Sequence, residues 1–271
     1  MTKYGSKDKN MTTRIEQTFE KLAKSGKRAL IPFIMGFDPD RETSARILAA
    51  LPAAGADIIE IGMPFSDPMA DGVVIQAAGI RALKAGATVA GVLEMVREFR
   101  EKNNETPIIL MGYFNPIYRY GAEKFCADAV AAGADGMILV DLPPEEEGEI
   151  RPFLNASALK LIRLIAPTSG DERVKLLSQS ASGFVYYISI TGITGAAVAN
   201  NQTLKAQVEH LREFTKLPIA VGFGIKTAEQ VRGVSEFADA VVVGSALVDA
   251  IAKADDKVKS ASDFIGQLAR R

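Results

Sequence analysis

The stretch IEIGMPFSDPMADG, Ile59 to Gly72, sets three carboxylates, Glu60, Asp67 and Asp71, among residues that are otherwise apolar or turn-forming. A carboxylate inside a run such as DIIEIGMP loses its hydration and is costly unless something pairs with it. If it stays buried it is a candidate for proton transfer. Each acid also has a plainer reading. Glu60 could face outward and pair with a Lys or Arg on a neighbouring helix. Asp71 could form an Asx turn or cap the helical stretch GVVIQAAGIRALKAG, and Asp67, before Pro68, could do the same.

Other chemistries have little to work with. The only cysteine, Cys126, sits in EKFCADAVAAG and reads as the inner face of a helix. The only histidine, His210, lies among charges in LKAQVEHLREF and reads as a solvated face. A nucleophile–histidine pair or a His/Cys metal centre therefore has almost no material, and no metal is expected. Thirty-two basic residues against 33 acidic ones leave a net charge of -1 with no basic block, which argues against nucleic acid and anionic membrane as partners. No apolar run approaches the ~20 residues of a membrane span. The cysteine usage suits a cytoplasmic setting. The opening MTKYGSKDKN is polar and lacks a signal-peptide core, so residues 1–11 read as a flexible tail and 12–271 as one domain.

What would position the acids is a repeating pattern. Eight short apolar runs start at Ala29, Asp57, Pro107, Gly136, Leu161, Phe184, Pro218 and Ala240. Helical patterns such as RETSARILAALPAAG, AEKFCADAVAAG and TAEQVRGVSEFA lie between them. Continuous rather than alternating apolar strands imply burial on both faces, and the unbroken alternation favours a single closed (β/α)8 TIM barrel over an open sheet. Before the first run, TRIEQTFEKLAKSG carries a Thr13–Glu16 capping box and an Ile15/Phe19/Leu22 stripe, which suggests an extra N-terminal helix covering the barrel bottom. Most strand starts are 22 to 34 residues apart, but 50 separate the second from the third. The excess follows Glu60, on the face where such barrels build their sites.

Glycine-bearing turns follow the last three strands: SITGITGAA, VGFGIKTAEQ and VVGSALVDA. Glycines let backbone N–H groups approach an anion, and a short helix starting at Ser245 would aim its positive end there, so a phosphate ester is the expected substrate class. The run from Gly192 to Thr203 is long for such a loop and could close as a lid. Glu60 shares parity with Ile58 and Gly62, which in one phase points it into the barrel mouth. Phe33, Met111 and Tyr186 have inward parity and could form a flat apolar slot suited to an aromatic leaving group, although residues of this kind also serve as plain core. A phosphate grip plus a buried acid suggests isomerisation or carbon–carbon cleavage. A Schiff-base aldolase needs a strand lysine, and none of the eight runs carries one; Lys226, just beyond GFGI, suits phosphate contact or exposure better.

The string IEIGMPFSDPMADGVVIQ, with PFIMGFDPD before it and MGYFNPIYRYG, LVDLPPEE, YYISITGITG, GFGIKTAEQV and VVVGSALV after it, closely resembles the tryptophan synthase alpha chain family from about Thr12 onward. That resemblance implies a lyase that cleaves indole-3-glycerol phosphate to indole and glyceraldehyde 3-phosphate, with Glu60 as general acid/base and Asp71 as acceptor for the indole N–H. It further implies Phe33, Met111, Tyr113 and Tyr186 around the substrate, Thr194 on the lid contacting Asp71, and Gly195, Phe223, Gly224, Gly244 and Ser245 at the phosphate. Asp67, Pro68, Asn115 and Pro143 match the rim that meets the beta subunit. In this family that subunit carries pyridoxal phosphate and receives the indole in an α2β2 complex, while the alpha chain itself holds no cofactor. The chain departs from common family patterns at MGFDP from Met35, at ITGITG, and at Met111, where relatives often have Leu; these bear on slot shape and lid, not on the reaction. A free-standing lyase, another phosphosugar barrel such as an isomerase, and a silent binding subunit are the competing readings.

Overall fold

The computed structural model describes residues 12–189, 201–222 and 224–270. Strands β1 (Ala29–Met35), β2 (Ile59–Gly62), β3 (Ile108–Gly112), β4 (Gly136–Leu139), β5 (Lys160–Ile165), β6 (Val185–Ile188), β7 (Ile219–Gly222) and β8 (Ala240–Val243) pair in parallel in sequence order, and β8 closes on β1. The helices are α1 (Arg14–Lys24), α2 (Arg41–Ala54), α3 (Val73–Lys84), α4 (Val89–Arg100), α5 (Phe114–Tyr120), α6 (Ala122–Ala132), α7 (Arg151–Asn155), α8 (Asp171–Ser180), α9 (Asn201–Leu211), α10 (Ala228–Ser235), α11 (Ser245–Lys253) and α12 (Lys257–Ala269), with a 3-10 helix at Pro144–Glu149. This is the expected (β/α)8 barrel. The 50-residue spacing after β2 is filled by two helices, α3 and α4, in place of one.

Two apolar layers follow from the period of two along each strand. Ile31, Ile58, Ile109, Ile138 and Ile162 fill the barrel interior, while residues of the other parity, such as Leu30, Ile59, Leu110 and Leu161, pack under the helices. The interior is closed from below by α1. Thr13 and Glu16 form the capping box, Ile15 and Phe19 are buried, and the Phe19 ring meets Phe184 at 5.8 Å between centroids.

A side chain placed just before each even-numbered strand ties it to the strand before. Asp57 accepts from Leu30 N at 2.8 Å, Asp135 from Ile108 N at 2.8 Å, Ser182 from Leu161 N at 2.8 Å, and Asp239 from Ile219 N at 2.9 Å. These bonds satisfy strand donors at the bottom of the barrel that have no ladder partner. Asp135 also takes Arg14 at 2.9 Å and Arg100 at 2.6 Å, which fastens α1 and α4 to the same point.

Two sequence expectations change. Lys160 opens β5, so the strands are not free of lysine; but it stands at the bottom and faces Glu16 of α1 at 3.4 Å, far from the mouth where a Schiff base would be needed. Of the proposed lid, Gly192 to Thr203, residues 192–200 lie outside the described residues, and 201–203 belong to α9 instead.

Candidate active site

A cavity of about 970 Å³ opens at the C-terminal ends of the strands, lined among others by Phe33, Glu60, Asp71, Met111, Tyr186, Gly224, Gly244 and Ser245. Glu60 sits in register between Phe33 of β1 and Ile109 of β3 and points inward. It is 1% exposed, and its Oε1 has no hydrogen-bond partner among the described residues. The outward, ion-paired alternative does not occur. Burial alone pushes the Glu60 carboxyl up to about 8, so at neutral pH it is mostly the protonated acid.

The walls of the slot exist because glycines make room for rings. On β2, a Cβ at Gly62 would come within 2.6 Å of Phe33 Cζ, and a Cβ at Gly222 on β7 would overlap the Tyr186 hydroxyl. Tyr186 holds its proton well above its ordinary range, first from burial and then from the Glu60 charge beside it. Phe33, Met111 and Tyr186 thus share the cavity with Glu60, as their parity suggested.

Asp71 lies on the loop between β2 and α3. Gly72, not Asp71, occupies the cap position of α3, so the capping alternative is not realised. The Asp71 backbone is fixed instead: its carbonyl accepts from Gln76 Nε2 at 2.8 Å, and its N–H donates to Pro68 O at 3.1 Å. Its carboxyl is raised above the usual carboxylate range by burial, a shift that the Tyr113 hydroxyl bond opposes. Tyr113 stands behind Asp71 rather than among the cavity-lining residues, and its hydroxyl also accepts from Ala70 N at 3.0 Å. The family resemblance puts Tyr113 around the substrate; in the structure its hydroxyl is bonded to the Asp71 carboxyl.

At the other end of the cavity, α11 starts at Ser245 with Gly244 in the cap position, so unpaired backbone N–H groups face the opening. Gly224 has φ +76°, a conformation that suits glycine. Phe223, Thr194 and Gly195 lie outside the described residues. Three cations line the cavity. Arg163 is held by Leu142 O at 2.8 Å and by Glu147, and Arg173 pairs with Glu145. Lys226 has no ion-pair partner among the described residues. Arg163 escaped sequence reasoning, although an Arg inside LIRLIAP was a visible signal.

On the rim, Asp67 is exposed with its carboxylate taken by Ser66 Oγ at 2.6 Å, Pro68 and Pro143 are half-buried, and Asn115 is exposed on α5. Met69 and Val73, 77% and 80% exposed, add an apolar surface beside Asp67 that the sequence reading did not single out. Cys126 is buried in α6, and burial pushes its thiol up to about 11, which leaves it unreactive. His210 is solvated and meets Asp171 at 2.9 Å and Glu213 at 3.5 Å. Among the described residues no cluster of three or more His, Cys, Asp or Glu could hold a metal ion, and no single helix is long and apolar enough to cross a membrane.

Comparison with known proteins gives a uniform picture. The sequence profile of the family described as "Tryptophan synthase alpha chain" matches residues 19–269. A tryptophan synthase alpha chain from Acidiphilium cryptum (strain JF-5) is 56% identical over 240 residues, spanning 89% of this chain and 87% of that one. The crystal structure of tryptophan synthase subunit alpha from Legionella pneumophila str. Paris superposes with a TM-score of 0.90 at 42% identity, covering 96% of this chain and 98% of that one. A chain of tryptophan synthase from M. tuberculosis, in an aminoacrylate-bound form, gives 0.86 at 31% identity over 95% and 98% of the two chains. A profile match across residues 19–269 and a relative 56% identical over most of both chains show that the chain belongs to the tryptophan synthase alpha chain family.

Proposed function

We propose that this chain cleaves indole-3-glycerol phosphate to indole and glyceraldehyde 3-phosphate. The observation that carries the reading is Glu60: a buried carboxyl whose Oε1 has no hydrogen-bond partner among the described residues, in the same cavity as Asp71 and the start of α11. An acid that must give a proton and then take one is best left near neutrality and unattached.

The proton sequence is balanced by one side chain. Protonated Glu60 gives its proton to the indole ring carbon bearing the glycerol chain, which leaves the ring as an iminium with an acidic N–H. Asp71 accepts a hydrogen bond from that N–H, and the contact strengthens as positive charge develops. The Glu60 carboxylate then takes the proton from the adjacent hydroxyl. The carbonyl forms, the carbon–carbon bond breaks, and its electron pair returns to the ring as indole. Glu60 ends as it began. Phe33, Met111 and Tyr186 hold the ring, while backbone N–H groups at Gly244 and Ser245, with Gly195, Phe223 and Gly224, take the phosphate.

The family implies a beta-subunit partner. The rim of Asp67, Pro68, Asn115 and Pro143 is the surface proposed to meet it, in an α2β2 complex where indole passes to pyridoxal phosphate chemistry on the beta subunit; the setting proposed is the cytoplasm. Indole released from indole-3-glycerol phosphate by the purified chain, with and without a beta chain, tests this. Slow release that rises strongly with the beta chain is expected. Fast release alone would make it a free-standing lyase. No release under either condition would overturn the assignment, and isomerised phosphosugar without indole would point to an isomerase.

A further inference from the structure

We propose that the Asp38–Arg81 ion pair is a positioning device for Asp71, and that Arg81 acts on catalysis through that acid. This rests on the reading of Asp71 as the indole N–H acceptor. Asp38 follows β1, and its carboxylate is almost wholly buried, with a side-chain exposure of 5%. Both its oxygens are taken by one guanidinium: Arg81 Nε at 2.6 Å and a terminal nitrogen at 2.8 Å.

The two ends of this fork differ in how firmly they are held. On the Asp38 side the turn is fixed to its surroundings. Phe37 N donates to Ser44 Oγ at 3.1 Å, Ser44 Oγ donates to Met35 O at 3.3 Å, and Asp38 N donates to Met35 O at 3.2 Å. The buried Phe37 ring fills the place that a Cβ on Gly91 of α4 would need, 2.6 Å from its Cζ. On the Arg81 side, α3 grips less firmly, with Val74 and Ile75 packed on the core but only partly buried. Its buried residues are the small Ala78, Gly79 and Ala82, while Val73 and Ile80 are 80% and 54% exposed. Small side chains leave a helix free to slide or rotate at low cost, whereas a bidentate guanidinium–carboxylate pair fixes direction as well as distance.

The N-terminal turn of α3 in turn holds the catalytic loop, through Gln76 Nε2 on Asp71 O at 2.8 Å. A displacement of α3 therefore carries the Asp71 backbone with it. Tyr113 then braces the Asp71 carboxyl from the β3 side. The ion pair thus joins the turn after the strand that carries Phe33 to the helix that follows the Asp71 loop, across 43 residues of sequence.

The test is a double-mutant cycle on the full chain in the presence of the beta chain, reading steady-state cleavage of indole-3-glycerol phosphate. Arg81→Met is expected to lower kcat/KM by about 10-fold, and to lower it by less than about 2-fold when added to Asp71→Asn. Arg81→Lys should recover part of the loss. An equal loss in both backgrounds, or no loss in the first, overturns the proposal. Should Arg81→Met not fold, Asp38→Asn, which keeps the volume, takes its place in the cycle with the same expectation. A wild-type chain that releases no indole would refute the functional reading instead, which keeps the two failures apart.

Discussion

The bottom and the mouth of the barrel each bury a carboxylate, and they treat it in opposite ways. Asp135 at the bottom, 8% exposed, receives Arg14, Arg100 and Ile108 N within 2.9 Å. Glu60 at the mouth, 1% exposed, has no partner at Oε1 among the described residues. The first arrangement satisfies the ion and ties three elements together. The second forgoes compensation and keeps the group protonated by burial. The same residue class at similar depth therefore serves stability at one end and proton transfer at the other, as expected where local rules are broken for function.

The largest way to break this contrast is to remove the uncompensated acid. Glu60→Gln should lower the cleavage rate by at least about 10³-fold while leaving the fold intact, since Glu60 both gives the proton to the ring carbon and takes the one from the hydroxyl. It should also stabilise the chain with a defined pH dependence. In the folded chain Glu60 keeps its proton up to about pH 8. In the unfolded chain it loses that proton near an ordinary pKa of about 4.3. Between the two the unfolded state binds fewer protons, so wild-type stability falls as pH rises and levels off above about 8. The advantage of the variant should be absent near pH 4 and grow to roughly 3–5 kcal/mol by pH 8. Urea unfolding of both proteins across that range reads it.

Removing Asp135 creates at the bottom the condition that the mouth tolerates. Asp135→Ala leaves Arg100 buried without its carboxylate and Ile108 N without an acceptor, so a loss of about 3–5 kcal/mol is expected in denaturant unfolding. Cleavage per folded molecule should stay near the wild-type value, because nothing at the bottom touches substrate. A large loss of turnover at full folding would erase the distinction between the two ends.

Gly222→Ala sharpens the contrast at the mouth. The added Cβ cannot coexist with the present position of the Tyr186 hydroxyl, so the ring that walls the slot must shift. Overpacking of this kind costs about 1–3 kcal/mol, and the misplaced slot should lower kcat/KM by roughly 10- to 100-fold. The smallest effect concerns Lys226, the cavity cation without an ion-pair partner among the described residues. Lys226→Gln should raise KM by about 3-fold with kcat unchanged, and should flatten the dependence of KM on ionic strength, as for an exposed charge acting on a phosphate. Kinetics at low and high salt check this.

Much of both ends was legible in the sequence because burial imposes a period. Phe33, Met111, Tyr186 and Glu60 alternate with residues that pack under the helices, and the strand phase brought them together as read. The Thr13 box and the helix start at Ser245 were equally local signals. What escaped was either short or distant. In FNPIYRY the stripe of Phe114, Ile117 and Tyr118 spans barely one turn and PEEEGE has none, so α5 and the 3-10 helix left too short a period to find. Lys160 was placed just outside a strand whose first residue it is, since a lone charge at a strand end breaks the apolar run. The pairing of Asp38 with Arg81, and of Tyr113 with Asp71, joins residues far apart in the chain. A turn such as GFDPD shows only a bend residue until the fold supplies its partner.

The most direct measurement is the ionisation of Glu60 itself, read as the infrared carboxyl signal of the wild-type chain minus that of Glu60→Gln across pH 5 to 9. A protonated carboxyl that persists through neutrality and is lost near pH 8 is the expected result. An ionised carboxylate already present at pH 6 would contradict the assignment of Glu60 as the acid that begins the reaction.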